Sequence, residues 1–279
     1  RSAHINKLKG DLHTVFPQYL DVFCDVTGKT STMILRQYGT PDKILRGHKK
    51  TMIEKISKAS RKGLAKASER YEKLCAAANA AKTFGCQIDS IYFNIFLTLD
   101  LVEKLDSALD SILNRIRQLI TFNKNEKFIQ QIKLLNTIPG VGFLTAVTIM
   151  CEIGDFSAFR NPKQLFAYFG LDPEVNESGK FVGTQLHMSK RGSRIARRAI
   201  FAVALASIRT KRNGEGINPY LRKYYELKSG QKPKMVAIGA VMHKVCNIVF
   251  AVLRDEKAFE LRSPEEHCKQ YQRPALAAA

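Results

Sequence analysis

The chain has 279 residues, 45% of them hydrophobic, so it can bury one large core or two modest ones and is not a disordered basic tail. Its formal net charge of +20 and pI near 9.8 exclude an indifferent surface and point to a polyanion, nucleic acid first. No uninterrupted run of about 18 apolar residues occurs, and no polybasic run is expected beside an apolar helix of spanning length, so no membrane partner is expected.

From the N-terminus, Ile5, Leu8, Leu12, Val15 and Phe16 give an amphipathic helix stopped at Pro17. A loop is expected around Gly28-Lys29-Thr30, a helix over Thr32–Tyr38, and a new start at Thr40-Pro41-Asp42 with proline in the first turn. Helical periodicity returns over Lys62–Ala81. From about Ile88 to Phe122, apolar residues recur at alternating spacings of three and four (Ile91, Ile95, Leu99, Val102, Leu105, Leu109, Ile112, Ile116, Leu119). That is the spacing of a coiled-coil seam, implying a dimer or rigid spacer, and equally of a long bundle helix. Asp106 and Asp110, one turn apart on this helix, are expected to be solvated.

A second unit follows. Pro139-Gly140-Val141-Gly142 forms a turn between two helices. Amides at such a glycine corner can bind a phosphate oxygen without reading a base, the pattern of a helix-hairpin-helix element, while a structural corner would need the glycines only for packing. Pro162 opens a helix that stops at Gly170. A polar loop, Asp172 to Lys180, holds Ser178 before Gly179, with a short extended piece expected at Gln185–Met188. Ser193 is the expected cap of a helix over Ser193–Thr210, and helices over Pro219–Leu227 and Lys234–Leu253 complete the unit. The fold class is therefore mostly α, a helical and coiled-coil region over 1–133, a helical domain with the corner over 134–261, and a flexible tail over 262–279.

Between Phe181 and Phe250 fourteen Lys and Arg face only Glu215 and Glu226. A solvated surface mixes signs, so this bias marks a polyanion site. Arg194, Arg197 and Arg198 fall at i, i+3 and i+4 and are expected to share one helix face, preceded by Lys190 and Arg191. Ser178, on a loop near Lys180, Lys190 and Arg191, is the candidate nucleophile for a phosphodiester. Such a hydroxyl needs a base or metal to activate it and cations to hold the charge that develops. Ser189, beside two cations, is its rival, and an ordinary turn serine is the bland alternative. His187 and His243 are isolated, and Tyr220, Tyr224 and Tyr225 are candidates for stacking on bases. The six cysteines lack ligand spacing, which fits free thiols in a reducing, cytoplasmic setting, and no metal set is evident in the chain.

Leu135-Asn136-Thr137-Ile138-Pro139-Gly140-Val141-Gly142, Gly154-Asp155, Phe166-Ala167-Tyr168-Phe169-Gly170-Leu171, Ser178-Gly179 and Ser189-Lys190-Arg191-Gly192, in this order, resemble the C-terminal transposase domain of the insertion-sequence family numbered one hundred and ten. The resemblance is close over about 134–254. It implies a bacterial mobile-element transposase, a DNA recombinase that binds DNA, is guided by a structured bridge RNA and assembles as a dimer or tetramer. It implies that Ser178 is the attacking serine. It also implies an acidic RuvC-like domain binding Mg²⁺, which these residues do not include, so this chain alone is expected to be inactive and to hold no cofactor. A non-catalytic helical DNA- or RNA-binding module, and a scaffold dimerising through Ile91–Leu119, are the alternatives.

Overall fold

A computed structural model describes residues 1–84, 88–174, 177–178, 181–182, 187–263 and 265–267, with backbone alone at 84, 177, 178, 181 and 182. The expected tail beyond 267, Lys180 and the segment 185–186 lie outside the described residues. The fold is mostly α. The chain divides into two compact units, Arg1–Arg117 and Gln118–Ala279.

The first unit holds α1 (Ser2–Val15), α2 (Tyr19–Val22), α3 (Lys29–Gln37), α4 (Pro41–Arg46), α5 (Lys49–Ser60), α6 (Leu64–Phe84) and most of α7 (Asp89–Thr121). Leu8, Leu12 and Val15 of α1 are fully buried, and Pro17 follows the helix end. Tyr19 is sandwiched between Phe16 and Phe23, with ring centroids 5.1 and 4.9 Å away. Its hydroxyl is within 3.0 Å of both the carbonyl and the hydroxyl of Ser31, so its one polar group is satisfied inside the core. Thr40 caps α4 by accepting from the Lys43 amide, with Pro41 in the first turn as the sequence predicts. Two boundaries differ from expectation. Helix α3 begins at Lys29, inside the expected loop, and α5 is a separate helix ended by Arg61 in the left-handed conformation at φ +53°.

Helix α7 splits its seam. Ile95, Leu99 and Val102 pack into the core of the first unit, whereas Leu109, Ile112 and Leu119 are exposed. Its N-terminal half is thus an ordinary bundle helix. Arg36 ties α3 to it through Asp100 (2.6 Å) and Glu103 (2.8 Å). Asp106, expected to be merely solvated, is paired with Arg1, which lowers its pKa.

The second unit holds α8 (Glu126–Leu135), α9 (Phe143–Ile153), a short 3-10 turn (Phe156–Ala158), α10 (Pro162–Tyr168), β1 (Glu177–Ser178), β2 (Phe181–Val182), α11 (Arg194–Ser207), α12 (Pro219–Ser229) and α13 (Lys234–Asp255). Asparagines cap three of these helices: Asn125, Asn161 and Asn218 accept from the amides of Phe128, Gln164 and Leu221. By length and composition α13 is apolar enough to cross a membrane, although His243, Lys244 and Asn247 interrupt its apolar run. Its apolar face is already used. Ala237, Val241, Val245, Cys246 and Val249 are fully buried, and α8, α10, α11 and α12 pack around it. Burial of Cys246 pushes its thiol pKa up, consistent with an inert packing role.

Candidate nucleic-acid interface

Two glycines with different roles make the corner between α8 and α9. Gly140 has φ +97°, a conformation that disfavours any side chain. A Cβ there would lie 2.7 Å from the Ser207 hydroxyl and 3.0 Å from its amide. Ser207 is fully buried and donates to the Pro139 carbonyl at 2.9 Å. Gly140 therefore serves the packing of the corner against the C-terminal end of α11. Gly142 is exposed, begins α9 without a side-chain cap and has open space where a Cβ would be. No acid occupies the first turn of α9, so the positive dipole end of the helix suits an anion.

The opposite end of α11 is built from a backbone interlock. Helix α10 ends in a Schellman motif: the amides of Gly170 and Leu171 donate to the carbonyls of Ala167 (2.7 Å) and Phe166 (3.1 Å), with Gly170 at φ +64°. Onto this turn folds the 189–193 loop. Ser189, Lys190 and Ser193 donate their amides to the carbonyls of Asp172 (2.8 Å), Gly170 (3.1 Å) and Tyr168 (3.2 Å). A Cβ on Gly192 would fall 2.0 Å from the Tyr168 carbonyl oxygen and 2.4 Å from the Gly170 amide. Only two glycines facing each other allow this approach.

The interlock sorts the predicted site residues. Arg197 is not part of a free stripe. It is half-buried, and its Nη1 donates to the Phe169 carbonyl at 3.1 Å, bracing the interlock from the side. Lys190, Arg191, Arg194 and Arg198 are exposed and form no ion pair among the described residues. Ser189 donates its hydroxyl to Asp172 Oδ1 at 2.6 Å, which makes it a latch for the loop. Ser193 caps α11 by accepting from the Ala196 amide at 3.1 Å, and its hydroxyl donates to Glu152. Asp172 and Glu152 escaped sequence reasoning because their partners lie 17 and 41 residues away.

The latch closes the stem of a hairpin. The Glu174 amide donates to the His187 carbonyl at 2.7 Å, and Pro173 bridges to Met188. Further out β1 pairs antiparallel with β2, Ser178 opposite Phe181. The backbone of Ser178 thus sits at the outer end of β1; its side chain, with Gly179 and Lys180, lies outside the described residues. His243 packs edge-on against Phe166 at 4.6 Å, and partial burial with Lys244 alongside lowers its pKa. Tyr224 has the ammonium groups of Lys228 and Lys244 over its ring at 5.6 and 5.5 Å, so its π-face already carries cations.

The corner and the cation cluster therefore do not converge. They mark the two ends of α11, 14 residues long and so about 20 Å apart at 1.5 Å per residue. No group of three or more His, Cys, Asp or Glu that could hold a metal ion occurs among the described residues. The resemblance assigns Mg²⁺ to the acidic RuvC-like domain, not to these residues.

Residues 132–226, from late α8 into α12, match the model of the transposase family IS116/IS110/IS902. The chain is 30% identical over 177 residues to the pilin gene-inverting protein of Moraxella bovis, covering 63% of this chain and 52% of that protein. It is 26% identical over 188 residues to the transposase for insertion sequence element IS1111A of Coxiella burnetii (65% and 50%). It is 24% identical over 235 residues to a 43.6 kDa protein of insertion element IS110 in Streptomyces coelicolor (84% and 54%). The chain spans about half the length of these relatives.

Proposed function

Because this chain belongs to the IS116/IS110/IS902 transposase family, its match lying over residues 132–226, we propose that its second unit handles DNA during strand exchange, with Ser178 as the nucleophile. The observation that carries this reading is the interlocked stem. It fixes the base of the hairpin bearing Ser178 beside four exposed, unpaired cations, Lys190, Arg191, Arg194 and Arg198. Relatives named for transposition and for gene inversion support a recombinase of DNA.

In the proposed step the Ser178 oxygen attacks a phosphorus of the DNA backbone. Its proton passes to a base, the bond to one sugar oxygen breaks, and that oxygen leaves as a hydroxyl after taking up a proton. The four cations hold the charge that builds on the non-bridging oxygens. The α9 N-terminus at Gly142 grips backbone at the far end of α11. Those two anchors, about 20 Å apart, correspond to about six base pairs at 3.4 Å per step along a strand. Guidance by a structured RNA, and an acidic domain acting with this one, follow from the family resemblance and complete the proposal.

Substitution Ser178→Ala in the transposase tests it. Transposition and covalent protein–DNA adducts should disappear while DNA affinity and its salt dependence stay within experimental error. Adducts that persist remove Ser178 from the chemistry and leave a helical module that only binds nucleic acid.

A further inference from the structure

The first unit carries a charged surface that the strand-exchange reading does not use. Between Lys43 and Lys66 nine Lys and Arg stand against a single acid, Glu54. The stretch covers the end of α4, all of α5 and the start of α6. Lys43, Arg46, Lys50, Lys58, Arg61 and Lys62 are exposed. None of the nine forms an ion pair among the described residues. Elsewhere in the same unit cations find acids: Arg1 pairs with Asp106, Arg36 with Asp100 and Glu103, and Lys82 with Asp42. A surface that only keeps a protein soluble mixes signs, so the local excess is what a polyanion neutralises.

The fold gathers this charge and holds it. Met52 and Ile56 bury one face of α5, which leaves Lys50, Glu54 and Lys58, at i, i+4 and i+8, in one row on another. The ammonium groups of Lys49 and Lys55 rest over the rings of Tyr71 and Tyr38 at 5.9 and 5.6 Å, which restrains two of the long side chains. At the end of α5 side chains fix the turn. The Ser57 hydroxyl donates to the Lys62 carbonyl at 2.8 Å, and the Lys62 amide donates to the Ser60 hydroxyl at 3.3 Å. Arg61 stands there at φ +53°, a conformation that glycine adopts without strain, so a charged side chain occupies a position that disfavours it.

Spacing and residue type indicate the kind of polyanion. Lys50 and Lys58 are two turns apart, about 12 Å along the helix at 1.5 Å per residue. The major groove of B-form DNA is about 12 Å wide, whereas that of an RNA duplex is deep and narrow. Seven of the nine cations are lysines, point charges suited to phosphates more than to bidentate reading of base edges. The transposase family of this chain makes DNA the polyanion at hand. We propose that the α4–α6 face of the first unit is a docking surface for duplex DNA, held through phosphates on both sides of the major groove without base readout. Glu54, in the middle of the row, opposes that grip. The surface lies outside the second unit and does not depend on Ser178.

The test uses the full chain, a fluorescent DNA duplex of arbitrary sequence, and an RNA duplex of the same sequence. In Lys50→Gln/Lys58→Gln/Lys62→Gln the slope of log DNA affinity against log salt should shrink by about 2.7, about 0.9 for each phosphate no longer neutralised. The melting temperature should stay that of the parent, because these three side chains are exposed and unpaired. Glu54→Gln removes the one opposing charge and should tighten DNA binding, a gain that fades near 1 M salt, where screening acts within about 3 Å. An unchanged DNA slope in the triple variant, or a Glu54→Gln protein that binds DNA no better than the parent at low salt, would overturn the proposal. A slope that falls on RNA alone would overturn it as well and give the face to RNA. Ser178→Ala should leave the slope loss of the triple variant intact, so failure here and failure of the strand-exchange reading give different results.

Discussion

Replacing Gly192 by alanine adds one methyl group and should be among the most damaging small changes available in the second unit. The new Cβ would sit 2.0 Å from the Tyr168 oxygen, 2.4 Å from the Gly170 nitrogen and 2.6 Å from the Phe169 carbonyl carbon, all backbone atoms of one turn. No rotamer relieves that overlap, so the 189–193 loop must lift away. It then loses the bonds from Ser193 to Tyr168 and from Lys190 to Gly170, and the charged bond from Arg197 to Phe169. With about 1 kcal/mol for each neutral bond and about 1.5 for the charged one, the cost is about 3–4 kcal/mol. For a unit of this size that is a fall of about 10 °C in melting temperature. Gly239→Ala is the matched control. It lies within α13 with nothing within 4 Å of its would-be Cβ, and the same substitution should stabilise by about 0.5–1 kcal/mol. Urea and thermal unfolding of both variants give the comparison. A Gly192→Ala protein within about 0.5 kcal/mol of the parent would refute the interlock as a constraint.

Arg197→Ala should destabilise the second unit by about 1.5–3 kcal/mol, whereas Arg198→Ala should leave stability nearly unchanged and reduce the salt dependence of duplex binding by about 0.9, the share of a single phosphate; equal effects from both would contradict the assignment. Gly142→Asp places a carboxylate on the α9 N-terminus, so it should raise stability by about 0.5–1 kcal/mol while weakening DNA binding, and unweakened binding in a gel-shift titration would remove the corner from the interface. His243 has its pKa lowered by partial burial and by Lys244, so the unfolded chain binds the extra proton first as pH falls. Stability should be fully present above the ordinary histidine range near 6.5, decline through it and level off below the folded pKa; denaturation curves from pH 8 to 5 should show that slope, and His243→Leu should flatten it.

Helix type and order were legible because long periodic segments carry their own signal, as in α7 and α11, and because Thr40, Ser193 and the prolines mark starts locally. The start of α3 was not: Gly28-Lys29-Thr30 has turn composition, and its helicity comes from burial of Thr30 and Ser31 in the first unit. The arginines of α11 show the limit at the site. Periodicity places 194, 197 and 198 on one face, but a carbonyl 28 residues away turns Arg197 inward. The bond from the Ser189 hydroxyl to Asp172 is likewise a contact no local pattern announces. Gly140 and Gly142 look alike in sequence, and only the approach of Ser207 gives them separate tasks.

The interlocked stem has an evolutionary consequence. Every bond that seats it is made at or below the Glu174–His187 rung, so the outer part of the hairpin is carried like a bit in a chuck. Mutations beyond that rung can explore new reach or new cutting preferences without loosening the mount, while drift at either of the two facing glycines would unseat the tool together with its holder.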